Sequence, residues 1–159
     1  PQGVVTASVV GRTGPNGQTT SITADDIKLL KRSVDPEYRN MNARFMAHDQ
    51  TFGAIERLKD SENRYLWQPS IAIGQLDTLD GYPVIPNNHM ATMAAEARSL
   101  LFGDFSNVLV RNAMGITLYR VVDKYIESGQ VGFLTWSRMD QKVLNAGTNP
   151  IKHYANSAS

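Results

Sequence analysis

Helix-forming periodicity in this sequence is confined to two short stretches, residues 22–34 and 49–59, whereas strand-like apolar runs crowd the last third. That segregation is the strongest constraint on the fold. A doubly wound parallel sheet needs strands and helices in regular alternation, and early helices followed by late strands describe an α+β chain instead. No internal repeat interrupts the pattern, and at 159 residues the chain suits one ordinary domain with an appended sheet.

The first helix is written almost entirely in local chemistry. Thr23-Ala24-Asp25-Asp26 fits a capping box, in which the Thr23 hydroxyl meets the Asp26 amide and the Asp26 carboxylate answers back. Ile22 and Ile27 make a hydrophobic staple across that cap. Asp25 and Asp26 at one end and Lys31 and Arg32 at the other complement the helix dipole. Ile27, Leu30 and Val34 share one face, and Pro36 stops the helix at Asp35. Residues 43–47 read as a short strand. Asp49 or Thr51 is expected to cap a second helix running through Lys59, with Phe52, Ile55 and Leu58 as its apolar stripe.

The remaining elements are read from turn and strand chemistry. Val4, Val5, Val9 and Val10 favour extended backbone, with Gly11 and Gly14-Pro15-Asn16-Gly17 as turns and residues 18–21 as a polar loop. Asp60-Ser61-Glu62-Asn63 is a turn leading to Tyr65-Leu66-Trp67-Gln68-Pro69, and Gly81-Tyr82-Pro83-Val84-Ile85-Pro86 is an extended segment whose prolines suggest a sheet edge. Residues 98–102 are expected to be extended before a turn at Gly103-Asp104, and residues 90–97 are left open. Runs at 108–110, 116–120 and 131–136 are strand-like, split by Met114-Gly115 and Glu127-Ser128-Gly129-Gln130; Val143-Leu144-Asn145-Ala146 offers one more. The tail is expected to fray at Ser157-Ala158-Ser159.

Composition narrows function mainly by exclusion. Sixteen Lys and Arg balance fifteen Asp and Glu, and neither half is strongly charged, which argues against a dedicated nucleic-acid binder. Zero Cys removes disulfides, thiolate zinc sites and cysteine nucleophiles. No apolar run is long enough to span a bilayer. His48, His89 and His153 are far apart without neighbouring carboxylates at metal spacing, so each reads as an ordinary imidazole. No phosphate loop and no Gly-x-Ser-x-Gly elbow occurs. The acidic pairs Asp25-Asp26, Asp60 with Glu62, and Asp77 with Asp80 are read as helix caps and turns. Lys28, Lys31, Arg32, Arg39 and Arg44, interleaved with Tyr38 and Phe45, are diluted by Asp25, Asp26, Asp35 and Glu37, and read as an ion-paired surface. No cofactor, metal or catalytic residue is assigned.

A string of segments in fixed order carries more information. Ile22-Thr23-Ala24-Asp25-Asp26-Ile27 is followed by Asp35-Pro36-Glu37-Tyr38, by Asn42-Ala43-Arg44-Phe45-Met46, and by the run from Leu58 through Asp60 and Trp67 to Pro69. Leu79-Asp80-Gly81-Tyr82-Pro83-Val84, Phe102-Gly103-Asp104-Phe105-Ser106 and the stretch from Gly132-Phe133 to Arg138-Met139-Asp140 complete it. In this order the segments resemble the major capsid proteins of tailed bacteriophages, over about residues 20–145. The structural turns and caps singled out are Thr23, Asp26, Gly81, Pro83, Gly103 and Asp104: Gly81 for a positive φ or close approach, Pro83 for an edge, Gly103-Asp104 for a turn.

That resemblance implies an α+β phage major-capsid-like fold. Residues 1–105 would form most of an axial-type domain of helices around a central sheet, with 140–159 returning to it, and residues 106–139 would be peripheral-type β-strands. It further implies a head-shell subunit that associates with itself in pentameric and hexameric capsomers around double-stranded DNA, contacting that DNA without sequence preference. The subunit would reside in the virion after synthesis in the host cytoplasm, with no membrane and no small-molecule substrate as partner. The family's arm, extended loop and spine helix precede the matching region, and the chain starts at Pro1, so further sequence is expected upstream and the apolar face of residues 108–136 is expected to be exposed. An encapsulin-like compartment shell shares the fold and is the alternative. A third reading is a small α+β hydrolase or ligand-binding domain, which two of the three histidines meeting a carboxylate in a deep pocket would favour.

Overall fold

The structure is a computed structural model that describes residues 2–68, 77–113, 115–145 and 147–159. Pro69, Met114 and Ala146, which figure in the segments above, lie outside the described residues. In chain order the elements are α1 (Val4–Ala7), β1 (Val9–Thr13), α2 (Ala24–Ser33), β2 (Ala43–Ala47), α3 (Asp49–Glu56), β3 (Thr78–Leu79), β4 (Tyr82–Pro86), β5 (Arg98–Asp104), β6 (Val108–Asn112), β7 (Thr117–Val121), β8 (Gly132–Trp136), β9 (Met139–Val143) and β10 (Ile151–Ala155). Short 3₁₀ turns occupy Pro36–Tyr38, Phe105–Asn107 and Asp123–Ser128.

A six-stranded mixed sheet in the order β1-β10-β5-β2-β4-β3 organises the body. Its centre is β5, antiparallel to both β10 and β2, while β1–β10 and β2–β4 are parallel pairs. Alternation along β5 divides the interior in two. Leu100 and Phe102 point to the face covered by α2 and α3, where Ile27, Leu30, Val34, Phe52 and Ile55 close the main core with Phe45 and Tyr154. Leu101 points to the other face and joins Ile151 and Met90, flanked by Val4, Val5, Met46, Val108 and Val143. Aromatic packing seals the first face: Phe45 and Phe102 lie 4.4 Å apart between ring centres, and Tyr82 meets Phe102 edge-on at 5.0 Å.

The structure departs from the sequence reading at several places. Val4 and Val5 are helical, because Ala7 and Ser8 donate back to Gly3 and Val4 and the two valines pack under the sheet. Gly11 lies inside β1, at a register shift in the pairing with β10, and not in a turn. A Cβ there would press on Leu30 of α2 at 2.9 Å, so glycine lets the strand approach that helix closely. The second helix begins at neither Asp49 nor Thr51 as cap: His48 caps it, its Nδ1 accepting from Gln50 N–H at 3.1 Å, and it ends at Glu56, short of Lys59.

Beyond β3, β4 is the penultimate strand and not a bare edge, since Thr78 and Leu79 pair outside it. The strand expected at residues 98–102 continues through Gly103 and Asp104, and the turn falls on Phe105–Asn107. The last ribbon strand is Met139–Val143, upstream of the run read from Val143 onward. The tail does not fray as expected. Residues 151–155 form β10 in the interior of the sheet, and Asn156 and Ser157 are buried, held by bonds to Ala97 and Gln18 carbonyls.

Candidate functional site

The six residues singled out as caps and turns occupy three separate places. At the start of α2, Thr23 Oγ1 accepts from Asp26 N–H at 3.3 Å and donates to Asp26 Oδ2 at 2.6 Å, while Asp26 Oδ2 accepts from Thr23 N–H. The buried Asp26 carboxylate is neutralised by Arg12 Nε at 3.0 Å, which ties β1 to α2. Between β3 and β4, Asp80 and Gly81 both have positive φ (49° and 87°), the combination that a tight two-residue hairpin requires, and Pro83 stands opposite Thr78. At the end of β5, Gly103 (φ 150°) runs against the backbone of Pro150 and Ile151. Asp104 accepts from Asn40 Nδ2 (3.0 Å), Ser106 N–H (2.9 Å) and Ser106 Oγ–H (2.6 Å). Burial pushes the Asp104 carboxyl up, but these donors outweigh it and leave its pKa below the ordinary carboxylate value. Each of these groups holds backbone in place, and none converges on another to make a reaction centre.

The other chemistry-bearing side chains are also dispersed. His48 caps α3, His89 is exposed, and His153 is buried in β10. Ser8 Oγ donates its single proton to Val5 O at 2.7 Å, so at 2.8 Å it must accept from His153 Nδ1–H. Loss of solvation, and then the nearby Arg98 cation, hold the His153 pKa below the ordinary value. Among the described residues no group of three or more His, Asp or Glu could hold a metal ion. Asp60 accepts from the amides of Arg64 and Glu62 and from Arg64 Nε, the arrangement of a stabilised turn, and the Arg64 amide is the chief cause of its lowered pKa. Phe45, interleaved in the basic stretch, is fully buried, so it offers no face for a base to stack on. Lys31 pairs with Asp80 across the surface.

One large feature of the surface is apolar. Strand β6 pairs with β9, β7 with β8, and their antiparallel registers nest into one long two-stranded ribbon closed by the turn at Asp123–Ser128. Among its described residues, Val108 and Val143 at the base pack beneath the main sheet. Above that base, Trp136, Tyr119 and Leu134 share one face, and Leu118 and Phe133 share the other. Both faces are bare: Trp136 is 63% and Phe133 67% exposed. Of 19 exposed large apolar residues in the described chain, 13 lie between Leu109 and Leu144. An isolated two-stranded ribbon is marginal in water, and a patch of this kind marks a surface that something else covers. The signal was present in the strand-like runs, but their exposure depends on where the rest of the sheet lies.

Comparison with known proteins agrees with this geometry. The profile described as "Phage capsid family" matches residues 1–155. Among solved structures the chain is similar to "Capsid of empty GTA particle computed with C5 symmetry" at 26% identity and a TM-score of 0.73, covering 94% of this chain and 55% of that one. It is likewise similar to "Capsid of native GTA particle computed with C5 symmetry" at 27% identity and a TM-score of 0.70, covering 96% and 53%. A chain of Gordonia phage Cozz shares the fold, at 17% identity and a TM-score of 0.66, over 98% of this chain and 52% of that one. The chain thus spans about half the length of these solved relatives. No curated protein sequence matches it.

Proposed function

This chain belongs to the phage capsid family, and from that premise we propose that it works as part of the major capsid subunit of a tailed phage or prophage, a non-enzymatic building block. Its mechanism is geometric: copies repeat the same heterologous contacts, which close into pentameric and hexameric capsomers where the rotation allows. In this reading the six-stranded body with α2 and α3 is the axial-type unit, covering residues 1–105 and the returning β10, and the ribbon from 106 onward is the peripheral-type unit. The pairing of β9 with β6 carries the ribbon through Val143. Double-stranded DNA is the packaged content, touched without sequence preference, in keeping with a net charge of +1. The finished subunit resides in the virion shell after synthesis in the host cytoplasm.

The observation that carries this reading is the bare ribbon, whose apolar residues on both faces need covering by other protein. The test is electron microscopy of the full-length subunit beside its Trp136→Ser/Phe133→Ser variant. The wild type should form capsomers or shells. The variant should lose them while the dissociated subunit keeps the wild-type far-UV circular dichroism, since Trp136 and Phe133 lie outside both clusters of the main core. A full-length wild type with neither capsomers nor shells would refute the proposal. No observation favours the encapsulin-like alternative, and particles filled with a cargo enzyme instead of DNA would mark it.

A further inference from the structure

We propose that α1 is a latch over one face of the central sheet that acid opens, with His153 as the sensing group. The proposal concerns the subunit on its own and stands apart from the shell reading above. Along β10, His153 pairs with Leu101 of β5 and Val10 of β1, and it shares a face with Ile151, two residues before it. That is the face on which Val4 and Val5 of α1 pack. A four-residue helix has too few internal bonds to stand alone in water, so α1 is helical only while it is docked. Besides the two valines, two polar anchors hold it. Ser8 Oγ donates to Val5 O at 2.7 Å and accepts from His153 Nδ1–H at 2.8 Å. Arg98 Nη1 donates to the same Val5 carbonyl at 2.9 Å.

This arrangement suits a neutral imidazole and not a charged one. His153 is 2% exposed, and burial and then the Arg98 cation both oppose a second proton on the ring; a hydrogen bond from Ser8 favours it but is outweighed. The surrounding elements bring little to offset that charge. α1 has no ionisable side chain, and Arg12 of β1 is engaged by Asp26 on the opposite face. Lys152 of β10 reaches the Ser33 carbonyl, and Asp104 at the far end of β5 accepts from Asn40 and Ser106. Asp140 and Lys142 on β9, the ribbon strand that meets α1, oppose each other in sign. Of these charges, Arg98 is the one that acts on His153. Moving α1 aside admits water to the ring while β10 keeps its pairing with β5 and β1. Docked α1 therefore prefers the neutral ring, released α1 accepts either form, and a falling pH shifts the balance toward release.

The test is amide hydrogen exchange on the dissociated subunit between pH 7.5 and pH 5.5, followed by NMR and expressed relative to the rate of an unstructured chain. The amides of Ala7 and Ser8, which donate to Gly3 and Val4, report on α1. Their opening should increase toward acid by up to about tenfold, the ceiling set by one proton on an imidazole of ordinary value near 6.5. His153→Gln should abolish that increase. Arg98→Gln should shrink it, because without the cation the charged ring is easier to keep under α1, although loss of the Val5 bond raises opening at every pH. If His153→Gln fails to fold, Arg98→Gln decides, since Arg98 is exposed. Ala7 and Ser8 amides whose opening stays constant over this range overturn the proposal, as does a response as large in Arg98→Gln as in the wild type. A response confined to the amides of β5 overturns it too, because His153 would then be reached only by global unfolding.

Discussion

Replacing Gly103 by alanine should be among the most damaging single-methyl changes this chain can suffer. Gly103 sits at the end of the central strand β5, at φ 150°, a region that L-residues rarely adopt. A Cβ built there overlaps the Pro150 carbonyl oxygen, lies 2.7 Å from Ile151 Cα and 3.0 Å from Pro150 C, and all three obstacles are backbone. Backbone cannot rotate aside like a flexible side chain. Strand β10 would have to move away at Ile151, where it pairs with Gly103, and Asp104 N–H would lose its 3.1 Å bond to Pro150 O. The backbone conformation contributes about 1–3 kcal/mol of strain, and the overpacking about 1–3 kcal/mol more. The sum, about 2–6 kcal/mol, is a large share of the roughly 5–15 kcal/mol of stability typical of a domain. It corresponds to a fall in Tm on the order of 10 °C for a chain of this size. Urea unfolding followed by circular dichroism gives the measurement, with Gly17→Ala as control: Gly17 also has positive φ (89°), but a Cβ there meets nothing within 4 Å. The control should lose only about 1 kcal/mol. A Gly103→Ala loss no larger than that of Gly17→Ala would show that β10 yields freely, and the close-approach argument would be wrong.

Two further outcomes follow from the caps and the buried imidazole. Thr23→Ala should destabilise by about 1 kcal/mol through loss of the N-cap, and Asp26→Asn by clearly more, because it also strips Arg12 of its buried counter-ion; equal losses in urea titrations would count against the Arg12 link. His153 has a folded pKa below its unfolded value of about 6.5, so the unfolded chain binds the proton more readily. Stability should therefore hold above that pH and decline as the pH falls below it, a slope that His153→Gln should flatten and that urea midpoints between pH 8 and pH 5 would reveal.

What could be read from the linear chain was what depends on near neighbours. The α2 cap needs only Thr23 and Asp26, three residues apart, and the structure carries the box in full. The Ile27, Leu30 and Val34 face, the stop before Pro36 and the strand at Ala43–Ala47 are equally local, and the ordered segments were enough to suggest the capsid resemblance. Reading stopped where a residue's environment is made by distant chain. Lys152 and His153 disguise β10 as a polar tail. They fit inside the sheet only because Lys152 Nζ reaches the Ser33 carbonyl and Ser8 accepts from His153, partners more than a hundred positions away. Val4 and Val5 look like strand, yet they turn helical to fill the space under Leu101 and Ile151.

The same division governs function. Sequence alone determined an α+β chain of balanced charge with helix caps and turns at named residues, because those properties follow from composition and from contacts a few positions apart. Tertiary structure decided which individual apolar residues of the ribbon stay in water and which buried polar atoms lack a partner among the described residues. The capsid resemblance pointed to a bare face over residues 108–136, but that Trp136 and Phe133 leave both faces of the ribbon in water is visible only in the fold, as is the burial of Arg39 Nε without a partner among the described residues. Exposure and hydrogen-bond satisfaction are properties of the whole packed surface, and no window of sequence contains them.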